Sequence, residues 1–162
     1  MNLFLKDTPA LCYGRSDNQV KFSSQYWSEE MLRKNKLAHS DGSGNYGENL
    51  WWGRRGTDPI SAFNASVVNW YREIENWNFT AAVKVNKYKD ALHFTQVVWV
   101  GTTQVNCGYA YSPQKGGFVT CQYFKKGNYA TVSARLKNVK PLKEKPQPVT
   151  QDLVSPTETV IS

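Results

Sequence analysis

Long apolar runs are missing from this chain. No window approaches the ~20 consecutive apolar residues that a membrane-spanning helix needs, so a helical span is excluded. The opening MNLFLKDTPA holds too short an apolar stretch for a secretion signal, whose apolar region takes about 7–15 residues. Cysteine is scarce as well: Cys12, Cys107 and Cys121 are too few for a disulfide scaffold, and no CxxC spacing marks a zinc site. Histidine is scarcer still, with His39 and His93 alone and no HExxH helix. No Ser or Cys stands in a recognisable nucleophile motif, and no internal repeat is present. The formal charge is +7, yet no run of five or more Lys or Arg occurs and no nucleic-acid-binding motif accompanies it. The expected surface is a solvated basic one with no nucleic-acid partner.

Aromatics are plentiful but unevenly placed. All six Trp, nine Tyr and seven Phe precede residue 138, whereas residues 138–162 hold four of the seven prolines and balanced charge. We therefore expect one folded domain over 1–137, followed by a Pro-rich disordered tail over 138–162. That tail carries Lys145-Pro146-Gln147-Pro148, a partner-recruiting segment at most and more simply a solvated terminus.

Patterning supplies the elements. Residues 17–35 carry Phe22, Tyr26, Trp27, Met31 and Leu32 in a helical stripe, entered from Ser16 or Asp17 as cap. The Gly-, Ser- and Asn-rich stretch 38–49 reads as an ordered loop, packed down by the following Trp51 and Trp52. A helix is expected from Pro59 to about Asn76, capped by Asp58, with Ile60, Phe63, Val67, Tyr71 and Ile74 on its apolar face. Residues 80–92 have no clean period and read as a mobile loop. Residues 93–100 alternate like a strand buried on both faces, and 128–136 like a last strand.

Residues 104–111 and 117–124 read as a hairpin. If its turn centres on Gln114, Cys107 and Cys121 lie directly opposite each other, within bonding reach. A disulfide is the favoured reading, with two buried thiols as the alternative, since disulfides persist only in oxidising compartments. Two glycosylation sequons, at Asn64 and Asn78, point the same way.

The residues with chemistry sit in aromatic surroundings. His39 begins the glycine-rich loop and His93 begins the expected buried strand. Glu48 stands beside Trp51, and Glu73 lies between Trp70 and Trp77 on one helix face. Buried charge wants a partner, and each carboxylate could orient one imidazole. Two His with open positions could also hold a divalent metal weakly. Spacing alone does not bring the four together.

Several segments resemble one family. His93-Phe94-Thr95-Gln96-Val97-Val98-Trp99 and Phe118-Val119-Thr120-Cys121-Gln122-Tyr123, the latter followed by Gly127-Asn128, are similar to the two signatures of the CAP superfamily. That superfamily comprises the cysteine-rich secretory, antigen 5 and pathogenesis-related proteins. His39-Ser40 with Tyr46-Gly47-Glu48-Asn49-Leu50, and Trp70-Tyr71-Arg72-Glu73-Ile74, resemble two further segments in the family's order. The resemblance covers about residues 25 to 130.

It implies an α+β fold, a three-layer α-β-α sandwich with a central, mostly antiparallel sheet. It places His39, Glu48, Glu73 and His93 as a tetrad in a solvent-open cleft, with His39 and His93 as ligands for zinc or magnesium and no organic cofactor. It implies a non-enzymatic binding protein acting in extracellular defence, host interaction or lipid export. The alternative is a metal-dependent hydrolase with Glu48 or Glu73 as general base. A lipid or sterol is the implied ligand and peripheral membrane contact a further expectation. The family's sterol loop corresponds to residues 80–92, with Lys84, Lys87, Tyr88 and Lys89 as candidates, and departs from the family in its lysine content. The family's opening helix with its HNxxR motif has no counterpart in residues 1–24. The resemblance implies a secreted protein whose signal is absent from this chain; the alternative is the intracellular, Golgi-associated branch.

Overall fold

The computed structural model describes residues 24–41, 45–54, 58–80 and 88–141. Its centre is a three-stranded antiparallel sheet in the order β1-β3-β2, built from β1 (Gly47–Gly53), β2 (Gln104–Ser112) and β3 (Gly116–Phe124). β2 and β3 form the expected hairpin, and Cys107 faces Cys121 in its register. The two are joined as a disulfide, with 4.1 Å between their Cα atoms. Gly116 closes the turn with φ of 85°, a left-handed backbone that suits glycine.

Side chains that alternate along the strands divide the core into two layers. Leu50 and Phe118 meet Met31 of helix α1 (Ser24–Lys34) on one face. Trp51, Val119, Cys121 and Tyr123 meet Ala62 and Trp70 of helix α2 (Pro59–Arg72) on the other. The result is the expected α-β-α arrangement. α1 lies so close to β2 that its backbone at Gln25 occupies the space a side chain on Gly108 would fill. Ser28 of α1 also donates to Thr120 of β3 at 3.0 Å.

β1 starts inside the stretch expected to be loop, and pairs with β3 from Gly47 opposite Tyr123 to Gly53 opposite Gly117. Glycine and asparagine disguise it locally; partnership with β3 makes it a strand, since β propensity yields to context. α2 begins as expected, with the Asp58 side chain accepting from Ser61 N at 3.0 Å and Pro59 in the first turn. It ends earlier, at Arg72, and continues as a 3₁₀ turn over Glu73–Asn76. Its buried face also differs. Ala62, Ser66 and Trp70, each four residues apart, face the core, while Ile60 is 74% and Val67 46% exposed. Small residues at two of the three contact positions let the helix approach the sheet, and the larger aliphatics turn away.

Two expected strands are helices. Residues 92–97 form α3 (Leu92–Val97), preceded by a 3₁₀ turn at Tyr88–Ala91. His93, Phe94, Thr95 and Gln96 are all buried, and a short run buried on every side carries no period that separates strand from helix. Residues 132–138 form α4 (Val132–Asn138), where Thr131 caps the first turn by accepting from Ala134 N at 3.3 Å. α4 packs through Ala134 and the following Val139 onto Trp77, Ala91, Phe94 and Trp99. The packed region therefore reaches Val139, beyond the expected boundary at 137. Residues 142–162 and 1–23, which hold most of the expected tail and the expected caps Ser16 and Asp17, lie outside the described residues.

The two faces of α2 separate in a stability measurement. Trp70→Ala should cost about 3–5 kcal/mol in urea unfolding, whereas Ile60→Ala and Val67→Ala should stay within about 0.5 kcal/mol of the parent.

Candidate functional site

Glu48 points from β1 toward the segment between α1 and β1, where His39 and Ser40 receive it. Its Oε1 accepts from Ser40 N at 3.0 Å and lies 2.9 Å from His39 Nδ1. Its Oε2 accepts from Ser40 Oγ at 2.8 Å and from Gln122 Nε2 at 3.1 Å. Gln122 is there because it stands opposite Glu48 in the β1-β3 register. Since the Ser40 proton goes to the carboxylate, the Tyr46 hydroxyl, 2.7 Å away, donates to Ser40 Oγ. Burial pushes the Glu48 carboxyl up, but the donors from His39, Ser40 and Gln122 outweigh it and hold the group below its ordinary value. Burial likewise pushes the Tyr46 phenol up.

The second pair lies beneath the helices. Glu73 follows α2, and its Oε2 accepts from the backbone N–H of His93 at 2.9 Å and of Phe94 at 3.2 Å. Its Oε1 is 2.6 Å from His93 Nδ1. One carboxylate thus caps α3 and orients its histidine. The His93 ring stacks on Trp70, centroids 6.3 Å apart, and its carbonyl accepts from Asn49 Nδ2 at 3.1 Å. A carboxylate can only accept, so Nδ1 carries the proton in both rings and Nε2 is the nitrogen suited to a ligand.

The four expected residues thus form two His–Glu pairs. Glu48 and Asn49 are neighbours on β1, and Asn49 reaches the His93 carbonyl, so the strand links the two pairs. Among the described residues, no three His, Cys, Asp or Glu side chains form a group able to hold a metal ion. Access differs too: the His39 side chain is 40% exposed and that of Glu48 1%, whereas His93 is 3% and Glu73 18% exposed. Ser40, Tyr46, Asn49 and Gln122 lie in the segments that resemble the family, but no part in the site was assigned to them from the sequence. Ser40 adjoins His39, but Asn49 and Gln122 carry no local signal before β1 is recognised as a strand.

A separate apolar cavity of about 330 Å³ opens between α2 and α3. Tyr71, Ile74, Phe79, Phe94 and Val98 line it, and among the described residues Lys140 is the one charged residue on its wall. Of the expected lipid-loop residues, Lys84 and Lys87 lie outside the described residues. The backbone of Tyr88 and Lys89 opens the 3₁₀ turn before α3.

A model of the cysteine-rich secretory protein family, CAP, matches residues 15–123. The chain is 35% identical over 115 residues to the pathogenesis-related protein PR-1 of Medicago truncatula, covering 70% of this chain and 62% of that protein. It is 40% identical over 128 residues to a probable pathogenesis-related protein of Candida albicans, covering 72% and 35%. It is 33% identical over 138 residues to PRY2 of Saccharomyces cerevisiae, covering 85% and 37%. The chain thus spans between about a third and two thirds of these relatives. The solved structure of BmVAL-1 superposes with a TM-score of 0.53 at 21% identity, covering 65% of this chain and 55% of that one, and shares the fold.

The depressed Glu48 carboxyl gives the first pair a pH signature. A lowered folded-state value contributes stability that is fully present above the ordinary carboxyl range and lost as pH falls through the folded value. Glu48→Gln should therefore cost about 1–3 kcal/mol near neutrality. The difference from the parent should shrink toward zero in acid, as measured by urea unfolding at about pH 7 and about pH 3.

Proposed function

The chain belongs to the cysteine-rich secretory protein (CAP) family, and from that premise we propose that it is a non-enzymatic, secreted binding protein of the defence or host-interaction kind, whose ligand is an apolar chain. The observation that carries this reading is the cavity between α2 and α3, whose described wall is aromatic and aliphatic with Lys140 at its edge. Its volume of about 330 Å³ is at the small end for ligand pockets. That suits one alkyl chain better than a four-ring sterol, and Lys140 suits a carboxylate or phosphate head. The disulfide supports an oxidising compartment.

Displacement of a fluorescent fatty acid tests the reading. The parent should bind, and Val98→Glu should weaken binding at least about tenfold, or about 1.4 kcal/mol. Equal binding by parent and variant would remove this cavity from the proposal.

The hydrolase alternative finds little support in the carboxylates. Glu48 and Glu73 each accept several hydrogen bonds from backbone and side-chain donors, which suits them to orienting rings better than to taking a proton from water. Ser40 is buried, and His39 lies on Glu48 instead of on its hydroxyl. The His–Glu pairs are the arrangement in which a carboxylate sets Nε2 for a metal. A zinc or magnesium ion would be held by His39 or His93, with Glu48 and Glu73 behind them. With no third ligand group among the described residues, such a site would be weak. Calorimetry with zinc on the parent and on His39→Ala/His93→Ala decides: heat lost in the double variant supports the metal, and identical isotherms dismiss it.

A further inference from the structure

The chain's two sequons fold into different backbones. Asn64 lies inside α2, where helical geometry fixes Asn64 and Ser66 two positions apart along the axis. Ser66 is fully buried, and its hydroxyl donates to the carbonyl of Phe63 at 2.9 Å. Its hydroxyl has turned from the asparagine into the core.

Asn78 lies beyond the 3₁₀ turn, between the extended Trp77 and a turn at residues 79 and 80. Asn78 and Thr80 are both exposed, while Phe79 between them packs inward against the ring of Phe94, centroids 6.3 Å apart. The Asn78 side-chain oxygen accepts from Thr80 N at 2.9 Å and from Thr80 Oγ1 at 2.8 Å. Here the hydroxyl of the sequon lies on the amide that would be modified.

We infer that Asn78 carries an N-linked glycan and that Asn64 does not. The inference rests on the secreted reading, since the transferase works in the secretory pathway. The amide nitrogen of asparagine is a poor nucleophile because its lone pair is delocalised into the carbonyl. Two hydrogen bonds onto that carbonyl make the N–H more acidic and hold the side chain in one orientation. In the transfer, Asn78 Nδ2 forms a bond to the anomeric carbon of a lipid-pyrophosphate-linked oligosaccharide. The anomeric C–O bond breaks, the lipid pyrophosphate leaves with the electron pair, and one Nδ2 proton passes to a base of the transferase. Phe79 holds the segment from below. It also lines the apolar cavity, so the sugar stands on the outer side of the wall whose inner side faces the ligand.

The test supplies its own secretion signal, so that it does not depend on where the natural chain goes. The full chain behind a heterologous signal peptide is secreted from a eukaryotic host. Its intact mass is measured before and after peptide N-glycosidase F in heavy-oxygen water, which marks the released asparagine. The expected result is a single mass step mapping to Asn78, retained in Asn64→Gln and Thr80→Ser and absent in Asn78→Gln and Thr80→Ala. The Thr80 pair keeps the test decisive if Asn78→Gln does not fold. An unglycosylated parent, or a label at Asn64, would overturn the inference. The secreted reading is checked separately, by assaying the cells and the medium of the native host for the chain.

Discussion

A helix as short as α3 cannot satisfy its own first turn, and Ala91 before it offers no side-chain cap. The missing acceptor is the Glu73 carboxylate, which takes the N–H groups of His93 and Phe94 and the His93 ring together. That interaction fixes the end of α2 against the start of α3, and between these two helices lie both the second His–Glu pair and the apolar cavity. It also places Phe94, which with Trp77, Ala91, Trp99 and Val139 forms the cluster that receives α4. An acid in such a position acts on the helix macrodipole as well as on the hydrogen bonds. Much of the helical layer is thus arranged around one side chain supplied from a distant part of the sequence.

The same interaction explains why residues 93–100 looked like a strand. Alternating side chains suggested two buried faces, and all of His93–Gln96 is indeed buried. The choice between helix and strand depended on an acceptor 20 residues earlier, which no local window contains. The hairpin was legible because its information is local: two alternating runs, a turn between them, and a register that follows from the turn. The Asp58 cap of α2 was legible for the same reason. The face of α2 was not, because hydrophobicity favoured Ile60 and Val67 while close approach to the sheet favoured Ala62 and Ser66. β1 was hidden among glycine and asparagine and exists because β3 is there to pair with it.

The histidines and glutamates were legible as residues of interest, and their pairing, one carboxylate to one ring, follows the expectation. What the sequence could not express is that β1 serves both pairs, Glu48 in one and Asn49 against the backbone of the other. Glu48 belongs to a network reaching Ser40, Tyr46 and Gln122. The His93 ring of the second pair stacks on Trp70, with Asn49 fastening the His93 carbonyl to the strand. The first network is open to solvent through His39, whereas in the second His93 is buried and Glu73 only partly exposed. A ligand arriving from water therefore meets one imidazole before the other.

Gln25 holds a further position of consequence. Its side-chain amide donates to the carbonyl of Tyr109 at 2.8 Å and accepts from the N–H of Tyr109 at 3.0 Å, on the outer border of β2. A single glutamine thereby imitates the backbone of an adjoining strand and stops the ladder there. The protein can crowd at high concentration without offering that stretch of border as a seed for stacking copies of itself.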